Sequence, residues 1–556
     1  MLIHSLSYLF YRPFFVLSFF LGLSFVSPCC LWASDVQGEH NKATEQIELG
    51  QQIYRQGRLA SGEAVEAYVM GDMKVLGTQF ACLNCHGRSG MGGAEGKTFT
   101  LAINPAALFT PRKGVYLERP AYTDETFAKV LRSGKVPGDK TLSAAMPVYQ
   151  LPDREMAALT AYIKTLSSTF SPGVSEETIH FATVISDEIK PGAARSMLSV
   201  LERFFQDKNS RTRYENKRQK YGPFYQHYRI KAYRDWALHV FRLHGPRESW
   251  QRQLADYYRQ QPVFAMVSGM VAGSWEPVHQ FCEQNEIPCL LPNTDFPAAP
   301  GKSDFYTMYF SEGLGLEAKV IARSVAASGK EANILQVFSS RSGGSSGASS
   351  LRSILKQQGD AVTDWKLSNH EQFTWKELDH RVHGSAADAV VLWLTSRDLA
   401  NAGPAVEREK FTGPLYLSSS LLGGFFVDFP EVSGRMAKVA HPFNPPEKQE
   451  LIYKRLKVWL DSRGLKSEHR RIIGQSYYAC MILGKGLAHI KNHFYRDYFL
   501  DALDHGNAKS IFSINYPRLS YGPGQRYLAK GAYIVEGTLQ RDQISTLVST
   551  WIVPDL

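Results

Sequence analysis

Long apolar runs are scarce in this chain. The one near its start, Phe14 to about Val26, is shorter than the ~20 residues that a bilayer-crossing helix needs. No later run replaces it, so no transmembrane segment is expected after signal removal. No Gly-x-Gly-x-x-Gly opening follows a strand-like run, which leaves a bound dinucleotide unsupported. The glycine-rich stretch 87–93 lacks the Lys-Ser/Thr ending of a phosphate-binding loop. Histidine is rare early on: only His40 and His86 fall between residues 34 and 179. His40 sits in a polar N-terminal stretch, so a second histidine ligand is hard to supply there. Cysteine is sparse as well, 7 in 556 residues.

Two of those cysteines, Cys29 and Cys30, fall in a segment that reads as a secretory signal over residues 1–33. His4 and Arg12 precede the apolar run, small and polar residues follow it, and Ala33 before Ser34 is a plausible cleavage point. Pro28 precedes Cys29 where a lipoprotein signal has a small residue, which argues against lipidation. Export to the periplasm places the chain in an oxidising compartment. There Cys282 and Cys289 are the best candidates for a disulfide, with Cys480 left as a thiol. Spacing alone does not bring their Cα atoms within bridging range.

Cys82-Leu83-Asn84-Cys85-His86 carries the clearest chemistry. Two thiols one helical turn apart, followed at once by histidine, form the attachment sequence of a c-type haem. The thiols add to the two vinyl groups of one porphyrin, and the imidazole takes the proximal position on iron. A thioredoxin-type pair or half a zinc site is the alternative, and export makes a reductant less expected. Met146, held out of a helix by Pro147, lies about sixty residues beyond His86 and is the candidate sixth ligand. Met91, inside Gly90-Met91-Gly92-Gly93, is its rival, and core packing is the ordinary role of either. Glu48 to Gln56 and Leu151 to Ser168 read as amphipathic helices, and residues 34–45 as disordered. Gly62 to Gly77 reads as an inserted hairpin, and Thr123 as the cap of a helix through Leu131.

The stretch 46–170 resembles a class I cytochrome c. The resemblance rests on Cys82 to His86, on Met146-Pro147 and on Leu159-Thr160-Ala161-Tyr162-Ile163. It implies an all-α domain with one covalently bound haem c, whose iron takes His86 and Met146 as axial ligands.

Length sets the rest. A chain of 556 residues exceeds one core and should divide into three or four folding units. Its 44% hydrophobic and 21% charged residues are globular values. The net charge of +10 suits anionic partners or, more simply, a basic solvated surface. Residues 206–235 mix Lys, Arg and Tyr, but an exported chain rarely meets nucleic acid, so a solvated or docking face is expected.

After Pro172-Gly173 the pattern changes to alternating strands and helices. Apolar strands at Ile179–Ile185, Val263–Val267, Ile287–Leu291, Asn333–Phe338, Ala389–Leu394 and Leu415–Leu417 each enter a polar loop. That alternation implies parallel sheets covered on both faces, with ligands at the strands' carboxyl ends. Residues 174–556 resemble the type I periplasmic binding proteins of the branched-chain amino acid kind. The segments that carry the likeness are Val263 to Gly269, Ile287 to Pro292 and Tyr306 to Arg323. The resemblance implies an α/β bilobed domain binding an amino acid or other small organic anion. By position it points to Ser268, Gly269, Ser274, Asn293 and Thr294, to Tyr309 and Ser311 near the hinge, and to Ser339, Ser340 and Ser418 opposite. Ser, Gly and Asn fill turns everywhere, which is the ordinary explanation of each. No acidic partner for a ligand ammonium group is evident.

Two further patterns carry less. His380 and His383, i and i+3 on one helix, could share a metal, although a solvated face is the commoner arrangement. Gly343-Gly344-Ser345-Ser346-Gly347 matches a nucleophile elbow only formally, because Ser345 comes seven residues after Phe338. The expectation is an exported mono-haem electron carrier joined to a solute-binding-like unit and served by a redox partner protein. The alternative is the haem-bearing part of a periplasmic oxidoreductase acting on a small organic substrate.

Overall fold

The computed structural model describes residues 29–554 except 96–97, 113–117, 138–139, 222–233, 300, 302–303, 328–330, 340–342, 369, 403–410, 424–435, 467, 506–512, 514, 521, 523, 541–542 and 545–547. The expected signal core and Ser340 lie outside the described residues. So does most of the Tyr-rich basic stretch after Tyr221.

The N-terminal unit is built on two crossing helices. Helix α1 (Cys29–Gln56) begins well before Glu48 and takes in residues 34–45, which the sequence suggested were disordered. Helix α2 (Cys82–His86) carries the attachment motif, α3 (Asp124–Ser133) follows, and α4 (Asp153–Thr165) closes the unit. At the crossing Gly50 meets α4 so closely that a Cβ there would lie 2.1 Å from the Ala158 carbonyl oxygen. Ile53 and Tyr54 of α1 and Leu159, Tyr162 and Ile163 of α4 fill one buried cluster. Helix α3 starts as expected at Thr123: its hydroxyl accepts from the Thr126 N–H, and Thr126 answers on the Thr123 N–H. It ends at Gly134, whose φ of +68° suits a residue without Cβ.

The unit is not all-α. Strands β1 (Glu66–Val69) and β2 (Met73–Leu76) form the expected hairpin, and β3 (Val148–Tyr149) pairs with β1 to make a three-stranded antiparallel sheet. β3 is two residues long, below the length at which alternation can be read from sequence. It follows Met146-Pro147 directly, so the sheet ties the methionine loop to the hairpin.

From residue 178 onward two sheets appear. The first has the order β8-β7-β6-β4-β5, with β4 Thr178–Ser186, β5 Asp235–Leu243, β6 Ala265–Val267, β7 Cys289–Leu290 and β8 Thr307–Met308, all parallel. β4 is an interior strand, which explains its run of buried residues from Phe181 to Ser186. Helix α5 (Pro191–Tyr221) lies between β4 and β5. The second sheet holds β9 (Asn333–Ser339), β10 (Ala361–Leu367), β11 (Ala389–Trp393), β12 (Leu415–Ser418) and β13 (Met436–His441), parallel in the order β10-β9-β11-β12-β13. Beyond β13 and a helix over Pro446–Asp461, the chain forms two further helices, α8 (Arg470–Ile490) and α9 (Arg496–His505), and returns as β14 (Ala532–Gln540), antiparallel to β13. Helix α6 (Leu314–Ala326) joins the sheets, and α7 (Gly344–Gln358) follows β9. One buried cluster takes residues from both sheets and from α8 and α9, among them Phe181, Phe264, Phe338, Trp393, Tyr478 and Phe499. Each such side chain contributes about 1.5–3 kcal/mol on burial.

Helix α7 begins at Gly344, and this rules out the elbow. Ser345 is its second residue, not a turn directly off β9. The glycines around it have a packing cause. A Cβ on Gly344 would lie 2.2 Å from the Trp393 carbonyl oxygen, and one on Gly347 would lie 2.5 Å from the Trp393 ring. His380 and His383 are both exposed, and among the described residues no three His, Cys, Asp or Glu gather as a metal site. Cys282 and Cys289 are buried as free thiols beside one another, with the Cys282 Sγ 3.6 Å from the Met266 sulfur.

Candidate functional site

The attachment motif forms one short helix. Cys82 is buried against the α1–α4 core and Cys85 is exposed. Burial pushes the Cys82 thiol up to about 12. His86 is 7% exposed, and its Nδ1 lies 2.9 Å from the Leu101 carbonyl oxygen. A carbonyl only accepts, so Nδ1 carries the proton and Nε2 keeps its lone pair. Burial lowers the imidazole's pKa, which disfavours its charged form. Among the described residues, Nε2 is buried with no protein partner. A buried polar atom left bare needs a reason, and a ligand bond to a metal would supply one.

The chain leaves His86 through Gly87, Gly90 and Gly92, with φ of +72°, +69° and +67°. Their close neighbours explain the glycines. A Cβ on Gly92 would lie 2.2 Å from the Thr100 carbonyl oxygen, and one on Gly90 2.9 Å from Leu166. The Tyr54 hydroxyl donates to the Gly87 carbonyl at 2.7 Å, anchoring the loop to α1.

Met146 sits in a turn, its N–H on the Ser143 carbonyl at 2.9 Å, and packs half-buried against the cluster that holds Cys82. Met91 is half-buried in the glycine loop, its N–H on the Ser89 hydroxyl. Met70 also approaches, its N–H bonded to the Ala144 carbonyl at 3.0 Å, but its side chain is 70% exposed.

Residues 73–167 match the family model described as Cytochrome c. This stretch is a cytochrome c domain. The match begins at β2 and ends just past α4, so it takes in the motif, the glycine loop, Met146 and the closing helix of the cytochrome domain. No curated protein sequence matches the chain.

Solved structures similar to the remainder are type I periplasmic binding proteins. A putative branched-chain amino acid ABC transporter from Rhodospirillum rubrum is 14% identical, covering 65% of this chain and 96% of its own, with a TM-score of 0.46. A branched-chain amino acid ABC transporter from Thermus thermophilus with bound valine is 11% identical, covering 68% and 96%, at 0.46. A leucine binding protein from Thermotoga maritima is 12% identical, covering 68% and 99%, at 0.43.

Outside the cytochrome domain, a pocket of about 870 Å³ takes its walls from loops after strands of both sheets. Met270, Asn293 and Asp295 come from the first, Ser396 and Leu422 from the second, and Arg471 and Gln475 from α8. Of the residues singled out from sequence, Asn293 lines it. Ser268 stands behind Asn293, accepting from its Nδ2 at 2.7 Å, while Ser476 of α8 lies 3.2 Å from both. The others are placed differently. Gly269, with φ of +115°, packs under Trp275. The Ser274 and Thr294 hydroxyls accept from the N–H groups of Glu276 and Phe296, as turn residues do. Ser311 accepts from the Gly313 N–H, Ser339 is buried at the end of β9, and the Ser418 hydroxyl accepts from the Leu421 N–H. Tyr309 does not line this pocket but another, with His279, Asp304 and Arg526. It is buried in the first sheet's other core, its hydroxyl 3.0 Å from His279 Nδ1 and its ring stacked on Tyr527.

Sequence reading missed Asp295, Arg471 and Glu317. Arg471 meets Asp295 through both carboxylate oxygens, one contact at 3.1 Å. Burial alone would lower the guanidinium's pKa, but Asp295 outweighs it and raises it. Glu317, fully buried on α6, accepts from the Ser420 N–H at 3.0 Å; burial pushes its carboxyl up to about 7. The nearest sequence signal was the polar Asn293-Thr294-Asp295 loop after β7. Nothing local marks Arg471, whose partner is 176 residues away.

Proposed function

We propose that the protein is an exported, periplasmic mono-haem electron carrier joined to a bilobed solute-binding unit. The observation that carries this reading is the bare, buried Nε2 of His86, poised on a helix with two cysteines one turn apart. Cys82 and Cys85 would hold the porphyrin through thioethers, and His86 and Met146 would be the iron's protein ligands. Haem c, when bound, supplies one-electron chemistry at a potential raised by a thioether ligand. The chain's residues do the rest. Leu101 keeps the His86 proton on Nδ1, Tyr54 fixes the loop, and the α1–α4 core excludes water. With His86 and Met146 both given to the iron, the chain would suit electron transfer. A redox partner protein then receives or delivers the electron.

The pocket between the sheets takes a small organic anion, an amino acid being one form. Two buried atoms at its wall support this, the Arg471 Nε donor and the Asn293 Oδ1 acceptor, neither with a protein partner. A ligand with an anionic oxygen and an N–H or O–H group satisfies both.

The test is a visible spectrum of the exported protein, made together with a haem-ligation apparatus. Sharp reduced bands that survive denaturation, and their loss in a Cys82→Ala, Cys85→Ala variant, are the expected result. Colourless protein overturns the reading.

A further inference from the structure

The loop that follows His86 is gripped by a residue from the other end of the chain. Asp501 on α9 accepts from two consecutive backbone N–H groups, Arg88 to Oδ1 at 3.2 Å and Ser89 to Oδ2 at 2.9 Å. It is 7% exposed and lies 412 residues from Ser89. The approach is so close that a Cβ on Gly87 would sit 2.5 Å from Asp501 Oδ2. The Arg88 side chain enters the same surface. Its Nε is 3.6 Å from Asp497 and its Nη2 3.7 Å from Glu286. Its guanidinium covers Phe305 at 4.5 Å and Tyr306 at 5.0 Å. None of these partners belongs to the cytochrome domain.

We propose that Asp501 is a positioning residue for the haem, through which the second unit fixes the backbone behind the proximal ligand and sets the reduction potential. This rests on the reading that haem is bound at Cys82, Cys85 and His86. The physical basis has two parts. A carboxylate taking two N–H groups is a strong charge-assisted contact, and it fixes Gly87 to Ser89 from one side while Tyr54 fixes Gly87 from the other. A buried negative charge on the loop that follows His86 would also favour the oxidised, more positive state of a bound haem, and burial weakens the screening of that charge. The two helices link this contact to the pocket. The N-terminal turns of α8 carry Arg471, Gln475 and Ser476, and α9 follows α8 and packs on it.

The experiment is a spectroelectrochemical titration of the full haem-loaded chain, comparing wild type with Asp501→Asn and Asp501→Glu. Asp501→Asn keeps the size but loses the charge and one acceptor. The expected result is retained covalent haem with a midpoint potential shifted positive, and a shift back toward wild type in Asp501→Glu. An unchanged potential in haem-loaded Asp501→Asn overturns the proposal. Should that variant not fold, amide hydrogen exchange of the wild type over residues 87–91 decides. Protection of the Arg88 and Ser89 N–H groups to the level of the α4 core supports the clamp, and rapid exchange overturns it. A wild-type chain that takes up no haem defeats the underlying reading and leaves the exchange result standing by itself, so the two failures are distinct.

Discussion

Arg471 and Asp295 form a two-pronged ion pair that joins the N-terminal end of α8 to the loop after β7. The guanidinium also lies over the Phe443 ring at 4.8 Å, and the Asn515 amide donates to the Arg471 carbonyl. Four separate chain segments therefore meet at one residue on the pocket wall. The pair occupies the Asp295 carboxylate and leaves Arg471 Nε without a hydrogen-bond partner among the described residues.

Arg471→Gln is expected to lower stability by roughly 3 kcal/mol, because Asp295 is left half-buried without its partner. The same variant should abolish thermal stabilisation by small organic anions, which for a wild-type ligand at one hundred times its Kd amounts to about 2.7 kcal/mol. Its haem spectrum should be unchanged. Differential scanning with an anion panel checks this, and full ligand stabilisation in the variant would place the binding determinant elsewhere.

Met146→Leu should remove the weak far-red band of the oxidised protein, which reports sulfur on iron, and should lower the potential. Haem stays attached, since the thioethers come from Cys82 and Cys85. Met91→Leu and Met70→Leu should leave the band in place. Loss of the band in Met91→Leu alone would exchange the ligand assignment.

The attachment motif was legible in sequence because its chemistry is local: five consecutive residues hold both thiols and the imidazole. The strand–loop alternation after Pro172 was legible because buried parallel strands are apolar throughout. Helix α1 was read too short, since residues 34–45 are polar and show no apolar stripe. β3 was invisible because two residues define no period. The pocket was the least legible part. Asn293 follows a strand and could be placed, but Arg471 and Ser476 reach it from a helix nearly two hundred positions away. Tyr309 failed for a local reason. Alternation along the chain at β8 puts Met308 and Phe310 on the shared core and turns Tyr309 to the opposite face.

Glu317 makes stability depend on pH. Its carboxyl, ordinarily near 4.5, is held at about 7 by burial, against the opposing hydrogen bonds of Ser418 and Ser420. Between these values the folded state keeps a proton that the unfolded chain has released. Stability from this group is thus full below pH 4.5 and falls as pH rises through 7, by about 3 kcal/mol in all. Glu317→Gln should remove that fall and raise stability at pH 8 relative to wild type. Urea unfolding at pH 5 and pH 8 measures it, and an identical slope in both proteins would show that the group titrates normally.

Arg496 is the first residue of α9, where a cation opposes the helix dipole at a cost of about 0.3–1 kcal/mol. Its contacts account for it. Nε donates to the Phe264 carbonyl at 3.0 Å, and Nη1 to the Asn285 and Glu286 carbonyls at 3.2 and 3.1 Å. Nη2 reaches the Val263 carbonyl at 2.6 Å, the Tyr258 hydroxyl at 3.0 Å and the Pro172 carbonyl at 3.5 Å. Its own N–H takes the Ser171 hydroxyl at 3.0 Å. One side chain therefore ties the linker after the cytochrome domain to the start of β6 and to the turn before β7. Lysine has three donors in place of five and cannot reproduce the planar fork, so Arg496→Lys is expected to cost about 2–4 kcal/mol. Arg496→Met should cost more, because it leaves the buried carbonyls of Val263 and Phe264 without this donor. The distinctive readout is limited proteolysis. Cleavage near residues 168–174 should quicken many-fold in Arg496→Met and release a cytochrome fragment whose visible spectrum is unaltered. A linker as resistant as wild type would mean that Phe170 against Phe494 and Tyr495, and not Arg496, keeps the two units together.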